Sequence, residues 1–143
     1  MIPSDPLTAG PEALKKETVL LVDDERPLLD MYLAALSSTF DVATVSNARE
    51  ASLLLQQRTF KVVIADHLMP GEPGLNFLVR VREEFPHMQR ILVTGYMKPD
   101  MLLRSVTEAA VFRYLIKPVP MGELVHVIRE AAKAHDASLA GAK

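Results

Sequence analysis

The chain has 143 residues, of which 49% are hydrophobic and 24% are charged, and its formal net charge is −2. This length supports one domain with a full core and is too short for two ordinary domains. The small net charge argues against a nucleic-acid-binding protein, and the absence of cysteine excludes disulfides and thiolate metal sites. No apolar run approaches the ~20 residues of a membrane span, and residues 1–16 lack the apolar block of a secretory signal. We therefore expect a cytoplasmic protein that acts away from the membrane.

The two ends of the chain differ in composition from its middle. Residues 1–17 are predicted to form a flexible tail, because the prolines there interrupt any helix. Residues 137–143 are rich in alanine, serine and glycine and are interpreted as a frayed helix end or the stub of a linker. The folded domain is therefore expected over residues 18–136.

Between these ends, ten predicted elements follow one another along the chain. They are a strand over 19–22, a helix over 27–38, a strand over 41–45, a helix over 47–57, a strand over 62–65, a helix over 74–85, a strand over 91–93, a helix over 100–110, a strand over 112–116 and a helix over 121–134. The strands are short apolar runs, which are typical of strands buried on both faces of a sheet. In the second helix, Asn47 with Glu50 three positions later predicts a capping box.

The regular alternation of strands and helices predicts an α/β fold with a doubly wound, five-stranded parallel sheet. Right-handed crossovers place helices on both faces of such a sheet, and its ligand site lies outside the carboxyl ends of the strands. Five polar residues follow the carboxyl ends of predicted strands, namely Asp23, Asp24, Asp66, Thr94 and Lys117. Side chains far apart in the sequence are therefore expected to form one cluster.

This cluster has the composition of a phosphoryl-transfer site. Three carboxylates in one crevice repel one another unless a cation shares the site, and hard oxygen ligands favour Mg²⁺. Asp66 can act as the nucleophile that forms an acyl phosphate. Mg²⁺ and the Lys117 ammonium group would then neutralise the transferred group, and the Thr94 hydroxyl can donate a hydrogen bond to it.

Each of these residues taken alone has a simpler interpretation. An Asp-Asp pair after a strand usually belongs to a loop or a helix cap, a single threonine there is usually structural, and a lysine before a proline is most often solvated. Their conjunction at four strand ends favours the phosphoryl-transfer interpretation. His67, beside the nucleophile, is expected to point away from Asp66 and not to bind the metal.

The stretch from about Thr18 to Ala134 resembles the receiver domains of two-component response regulators. Asp23-Asp24 is similar to their acidic pair, and Asp66-His67-Leu68-Met69-Pro70, with Gly74 following, is similar to their phosphoacceptor segment. Thr94-Gly95, Tyr114 and Lys117-Pro118 resemble their switch threonine with its small neighbour, their switch aromatic residue and their lysine–proline pair. The resemblance implies a flavodoxin-like (βα)5 fold with the strand order 2-1-3-4-5.

The resemblance also implies a role for each matching residue. Asp66 would be the phosphorylation site, and the metal ligands would be Asp23 (directly or through a water), Asp24, Asp66 and the backbone carbonyl of Leu68. Thr94, Gly95 and Lys117 would bind the phosphate, Thr94 and Tyr114 would form the switch, and the peptide bond before Pro118 would be cis. Leu68 and Tyr96, two positions after Asp66 and Thr94, are expected to flank the approach of water and so to tune the lifetime of the acyl phosphate.

Two segments depart from the family pattern. Val119-Pro120 stands where the family often has an aromatic residue followed by aspartate, so the usual side-chain cap of the last helix is missing. Ala109-Ala110-Val111 lacks the glycine that is common before the fifth strand. Neither departure touches the predicted site.

The expected function is that of a signalling phosphoacceptor and not of an enzyme. Its partners would be a histidine kinase or phosphotransfer protein and a downstream protein or fused output domain. A homodimer through the fourth helix, fifth strand and last helix is also considered. Candidates for this output face, some of which must belong to the core, are Leu102, Leu103, Val106, Val125 and Val127.

Two other functions are alternatives to the phosphoacceptor. A pseudo-receiver that only binds a partner would be favoured by loss of the acidic pair, the acceptor or the lysine, and all of these are present. A hydrolase of the haloacid-dehalogenase type would need a second aspartate at position 68, where the chain has Leu68.

Overall fold

The structure, a computed structural model, describes residues 16–141 and contains the ten predicted elements in the predicted order. They are β1 (Thr18–Val22), α1 (Arg26–Leu36), β2 (Asp41–Val45), α2 (Ala48–Leu55), β3 (Val62–Asp66), α3 (Gly74–Glu84), β4 (Gln89–Thr94), α4 (Pro99–Thr107), β5 (Arg113–Ile116) and α5 (Met121–Gly141). The five strands are parallel and lie in the order β2-β1-β3-β4-β5. The predicted fold class and strand order are confirmed.

The sheet separates two hydrophobic cores, one on each face. Helices α1 and α5 cover one face, where Val19 and Leu21 of β1 are buried. Helices α2, α3 and α4 cover the other face, where Leu20 and Val22 are buried. Successive side chains of a strand point to opposite faces, so a strand covered on both sides has to be apolar throughout. This is why the strands appear in the sequence as continuous apolar runs.

Helix α2 begins at its predicted cap. The side-chain oxygen Oδ1 of Asn47 accepts a hydrogen bond from the backbone nitrogen of Glu50 at 2.8 Å. The carboxylate of Glu50 reaches back one residue further than in a standard capping box, where it accepts a hydrogen bond from the backbone nitrogen of Ser46 at 3.1 Å. These local contacts fix the start of the helix, and such a cap contributes about 1 kcal/mol.

Helix α5 is longer than the sequence analysis predicts. It continues past the expected end near Ala134 to Gly141, through the segment interpreted as a frayed end or linker stub. The alanine-rich composition that indicated a stub also has the highest helix propensity. Tertiary contacts hold this extension, because Asp136 Oδ1 lies 2.9 Å from Lys61 Nζ and Ser138 Oγ lies 2.6 Å from His87 Nδ1.

The predicted N-terminal tail lies mostly outside the described residues. Its last two members, Lys16 and Glu17, are described and make specific contacts. Lys16 Nζ donates to the backbone oxygen of Ser37 at 2.8 Å, and Glu17 Oε1 accepts from Lys61 Nζ at 3.0 Å. The described chain is therefore attached to the domain one to two residues before the predicted boundary at Thr18.

The segment before β5, which lacks the glycine common in the family, contains a residue with an unusual backbone conformation. Ala110 occupies the left-handed region with φ of 46°, a conformation that costs a residue with a side chain about 1–2 kcal/mol. The buried guanidinium group of Arg90 in β4 donates to the backbone oxygens of Ala109 at 2.7 Å and Ala110 at 3.1 Å. These hydrogen bonds hold a turn that alanine alone does not favour.

Candidate functional site

The carboxyl ends of four strands bring the predicted site residues together. Asp23 and Asp24 follow β1, Asp66 is the last residue of β3, Thr94 is the last residue of β4, and Lys117 follows β5. One carboxylate oxygen from each of the three aspartates lies within 4.8 Å of the others. Asp23 and Asp66 are buried, whereas Asp24 is exposed, so the cluster opens to solvent on the side of Asp24.

The ammonium group of Lys117 contacts three carboxylates at this cluster. Its Nζ atom lies 3.0 Å from Asp23 Oδ2, 3.3 Å from Glu25 Oε1 and 3.5 Å from Asp66 Oδ2. The Lys117–Pro118 peptide bond is cis, as the family resemblance implies. The ammonium group is thus shared, and its shortest contact is with Asp23 and not with Asp66.

Burial dominates the electrostatics of Asp66. Only 6% of the residue is exposed, and this burial raises the pKa of Asp66 to about 6, with Lys117 opposing and Asp23 adding to the increase. Burial alone would lower the pKa of Lys117, but the hydrogen bond to Asp23 and the field of Asp66 outweigh it and raise that pKa. One shared ammonium group therefore leaves the cluster with an excess of negative charge.

This donor set fits a hard divalent cation. The converging ligand atoms of Asp23, Asp24 and Asp66 are all carboxylate oxygens, which Mg²⁺ prefers. The excess negative charge supplies an electrostatic reason for a cation to bind, and the exposed Asp24 leaves room for the water ligands that Mg²⁺ retains. The residues present are therefore suited to holding Mg²⁺.

The loop after β3 brings α3 against the nucleophile candidate. Gly74, the first residue of α3, lies so close that a Cβ atom at this position would collide with the backbone oxygen of Asp66. Its backbone nitrogen donates to the backbone oxygen of His67 at 2.9 Å. This close approach explains the glycine eight positions after Asp66, because any side chain would push the helix away from the strand end.

His67 lies outside the cluster of carboxylates. Its Nδ1 atom accepts a hydrogen bond from the backbone nitrogen of Leu75 at 3.3 Å, so the ring is turned toward the start of α3. Burial, and to a smaller extent the positive charge of Arg104, lower the pKa of His67. The absence of His67 from the metal site stays a prediction.

Thr94, the last residue of β4, and Tyr114, in the neighbouring strand β5, are the two predicted switch residues. Thr94 is buried, and its hydroxyl donates to the backbone oxygen of Tyr96 at 3.2 Å, while Gly95 beside it is exposed. Tyr114 is 42% exposed on β5. The hydroxyl of Thr94 is thus directed to its own loop in this structure.

The residues proposed for an output face divide between surface and core. Leu103 and Val106 of α4 are exposed at 62% and 59%, whereas Leu102 and Val125 are only partly exposed. Val127 is buried in the core between α1, α5 and the sheet, so it is one of the candidates that belong to the core and not to the surface. Its position on α5, four residues before the buried Ala131, places it on the inner stripe of the helix.

Two residues near the site were missed by the sequence analysis. Glu25 pairs with Lys117, and its place directly after the acidic pair was an available signal. Tyr32 of α1 is 7% exposed and lines a narrow cavity together with Asp23 and Asp66. Burial raises the pKa of Tyr32, with Lys117 opposing. Helical spacing could have placed Tyr32 in the core, but only the fold places it beneath the acidic cluster.

Comparison with known families agrees with this geometry. A family model described as the response regulator receiver domain matches residues 19–129 of the chain. The chain belongs to this receiver family. Receiver domains are the phosphoacceptors of two-component response regulators, and as a family they bind Mg²⁺ in an acidic pocket.

Relatives of this receiver domain include transcriptional regulators. It is 38% identical over 120 residues to the hydrogenase transcriptional regulatory protein HoxA of Cupriavidus necator, a match that covers 84% of this chain and 25% of that protein. It is 32% identical over 111 residues to the alginate biosynthesis transcriptional regulatory protein AlgB of Pseudomonas aeruginosa, covering 77% of this chain and 24% of that protein. The chain thus spans about a quarter of the length of these curated relatives.

Solved structures contain the same fold. The signal receiver domain of an HD domain-containing protein from Pseudomonas fluorescens Pf-5 matches with a TM-score of 0.82 at 27% identity, covering 86% of this chain and 99% of that chain. An adenylate cyclase structure from Rhodopirellula baltica matches with a TM-score of 0.83 at 30% identity, covering 88% and 94%. Among residues 16–141, no helix of this receiver domain is long and apolar enough to cross a membrane.

Proposed function

We propose that this receiver domain, over residues 18–136, accepts a phosphoryl group on Asp66 in a Mg²⁺-dependent reaction and thereby switches a protein-interaction surface. The phosphoryl donor would be a phosphorylated histidine kinase or phosphotransfer protein. The observation that carries the proposal is the convergence of the Asp66 carboxylate with Asp23, Asp24 and Lys117 at one edge of the sheet.

The reaction uses the chain's own groups in distinct roles. A carboxylate oxygen of Asp66 attacks phosphorus, the bond from phosphorus to the donor atom breaks, and the donor leaves with the electron pair. The Lys117 ammonium group, 3.5 Å from Asp66 Oδ2, then pairs with an oxygen of the transferred group. Asp23, Asp24, Asp66 and the backbone carbonyl of Leu68 would hold Mg²⁺, which would supply positive charge opposite the phosphoryl oxygens.

The signal passes from the phosphate to a surface through Thr94 and Tyr114. When Thr94 turns from the backbone oxygen of Tyr96 to a phosphate oxygen, with Gly95 leaving space at the phosphate, it vacates room next to β5. Tyr114 can then move inward from its exposed position. Such a switch requires two conformations that are already close in energy. A downstream protein or fused output domain would bind the changed surface of α4, β5 and α5.

The proposal is tested by self-phosphorylation from acetyl phosphate. With saturating Mg²⁺ we expect the intact mass of the native chain to rise by one phosphoryl group, because nucleophile, metal ligands and cation are all present. Asp66→Asn should abolish the rise, and Asp30→Asn, an exposed aspartate on α1, should retain it. Removal of Mg²⁺ with a chelator should also prevent it. A full rise in Asp66→Asn, or no rise in the native chain with Mg²⁺, would refute the proposal.

A further inference from the structure

The loop between β3 and α3, residues 67–73, carries the carbonyl group of Leu68 that is assigned to the metal. Among residues 16–141, no backbone nitrogen donates to this oxygen, so a cation that binds it displaces no backbone hydrogen bond. The side chain of Leu68 is 70% exposed and contributes little to anchoring the loop. The position of the carbonyl group therefore depends on how the rest of the loop is held.

The base of this loop is fixed from inside the molecule. The backbone nitrogen of Gly74 donates to the backbone oxygen of His67 at 2.9 Å, and the side chain of Met69 is buried in the core on the α3 side of the sheet. The outer part is different, because Pro70 and Gly71 are exposed and Gly71 has a left-handed backbone with φ of 84°. Holding the outer part requires a contact from elsewhere in the domain.

Arg80 of α3 provides this contact by binding Glu72 with a fork of two hydrogen bonds. Its Nε atom donates to Glu72 Oε2 at 3.0 Å, and its Nη2 atom donates to Glu72 Oε1. Nη2 also donates to Ser52 Oγ on α2 at 3.2 Å, and the guanidinium group lies 5.6 Å from the centre of the Phe77 ring. A forked contact fixes orientation as well as distance, so the outer loop is attached to α2 and α3.

The charges of this pair are poorly suited to act on the acidic cluster directly. Glu72 and Arg80 carry opposite charges in one contact, so their fields largely cancel at a distance. Burial, Lys117 and Asp23 have the largest effects on the pKa of Asp66. An influence of the pair on the site would therefore pass through the backbone of the loop.

We propose that Glu72 and Arg80 are positioning residues, whose forked ion pair holds the loop in the conformation in which the Leu68 carbonyl group can bind Mg²⁺. The inference rests on the proposed function, in which this carbonyl group is a metal ligand. Without the pair, the outer loop has to be ordered each time the ion binds, and the cost of this ordering lowers the affinity for Mg²⁺.

The proposal is tested by titrating the full chain with Mg²⁺ and following the amide chemical shifts near Asp23 and Asp66. We expect Arg80→Met and Glu72→Gln each to weaken Mg²⁺ binding about 3–10-fold. The direction in Arg80→Met decides between two causes, because removal of a positive charge would by itself strengthen the binding of a cation. Arg80→Lys, which keeps the charge and loses the fork, should also weaken it.

Arg58→Met is the matched control. Arg58 also pairs with a carboxylate, that of Asp41 at 3.2 Å, and lies 4.3 Å from the centre of the Phe60 ring. Asp41 begins β2 at the end of the sheet opposite the acidic cluster, so the affinity for Mg²⁺ should stay within about twofold of the native value. Equal weakening in Arg58→Met and Arg80→Met would show a general loss of stability and overturn the positioning role.

A double variant and a rate measurement complete the test. Arg80→Met combined with Glu72→Gln should bind Mg²⁺ within about twofold of Arg80→Met, because both changes break one contact, and fully multiplicative losses would contradict this. At saturating Mg²⁺, Arg80→Met should be phosphorylated from acetyl phosphate at the native rate, since the defect lies in binding the ion, and a slower reaction would contradict this assignment.

Failure of the inference can be distinguished from failure of the proposed function. If the native chain binds Mg²⁺ and is phosphorylated, unchanged or tighter Mg²⁺ binding in Arg80→Met would overturn the positioning role alone. If Mg²⁺ causes no chemical-shift changes near Asp66 in the native chain, the proposed function fails and the inference fails with it.

Discussion

Leu68 and Tyr96 are the residues that we expect to control the access of water to a phosphorylated Asp66. Each is 70% exposed, and both line the cavity that includes Thr94. Hydrolysis of an acyl phosphate requires water to attack phosphorus opposite the carboxylate oxygen. Leu68 has no hydrogen-bonding group, and Tyr96 carries a single hydroxyl, so neither side chain holds an attacking water well.

We therefore expect the phosphorylated domain to be long-lived. In a Leu68→Asn, Tyr96→Glu double variant the phosphoryl group should be lost about 10–100 times faster, equivalent to about 1.4–2.7 kcal/mol of barrier. The measurement is the decay of phosphorylated protein in saturating Mg²⁺, with Leu53→Asn on α2 as a control of similar exposure. Decay of the native chain at the rate of the double variant would contradict the argument.

The sequence was sufficient to predict the positions of some site residues and insufficient for others. The acidic pair, Asp66, Thr94 and Lys117 could be placed at one site because each follows a strand, and strand ends converge in this fold. Tyr32 could not be placed at the site from the sequence, because its position beside the acidic cluster depends on how α1 packs on the sheet. The left-handed backbone of Ala110 was equally hidden, since it is maintained by a distant guanidinium group and not by local preference.

At the scale of elements, tertiary contacts hold the carboxyl end of α5. Asp136 pairs with Lys61, which lies just before β3, and the hydrogen bond from Lys61 is the main reason that the pKa of Asp136 is lowered. A lowered carboxyl pKa means that the pair stabilises the fold above the ordinary value of 3.8 and loses this effect as the pH falls below it.

Removal of this pair should loosen the last two turns of α5 and leave the rest of the domain intact. Because both side chains are partly exposed, the loss in Asp136→Asn should be about 0.2–1 kcal/mol, which is up to about a fivefold increase in local opening. Amide exchange over residues 136–141 at neutral pH measures it. Glu130→Gln, which removes the exposed pair with Lys133 on the same helix, is the control. Unchanged exchange in Asp136→Asn would show that the pair does not hold the helix end.

The boundaries of elements were less predictable than their order. Alternating apolar runs and helical patterns were sufficient for the order of all ten elements, because buried strands and amphipathic helices have different periods. These patterns did not predict where α5 ends, because an alanine-rich segment is helical when tertiary contacts hold it and frayed without such contacts. Lys61 and His87, which hold it here, are far from it in the sequence.

At the scale of the whole molecule, α4 and β5 carry four of the exposed large hydrophobic residues of the described chain. Leu103, Val106, Tyr114 and Ile116 are between 42% and 62% exposed. Tyr114 and Ile116 alternate with the buried Leu115 and so share one side of the edge strand. Such a surface is suited to covering by a second protein or a second copy of the domain.

We expect this surface to promote self-association when the domain is activated. Sedimentation velocity should give a larger average mass with Mg²⁺ and beryllofluoride, which imitates the phosphoryl group, than without them. Val106→Glu should abolish this increase in mass because it places a charge in the apolar contact. Leu53→Glu on α2, which is 57% exposed at a site remote from β5, should leave it intact. The same mass for native chain and Val106→Glu under activating conditions would exclude this surface as the dimer contact.

The contact of Lys61 with both Glu17 and Asp136 has a consequence for how the domain is built into proteins. Its ammonium nitrogen lies 3.0 Å from Glu17 and 2.9 Å from Asp136, so the residue before β1 lies beside the carboxyl-terminal part of α5. Both lie where β1 and β3 begin, at the end of the sheet opposite Asp66. A module with adjacent ends can be spliced between two segments of a longer polypeptide, or circularly permuted, without pulling its sheet apart.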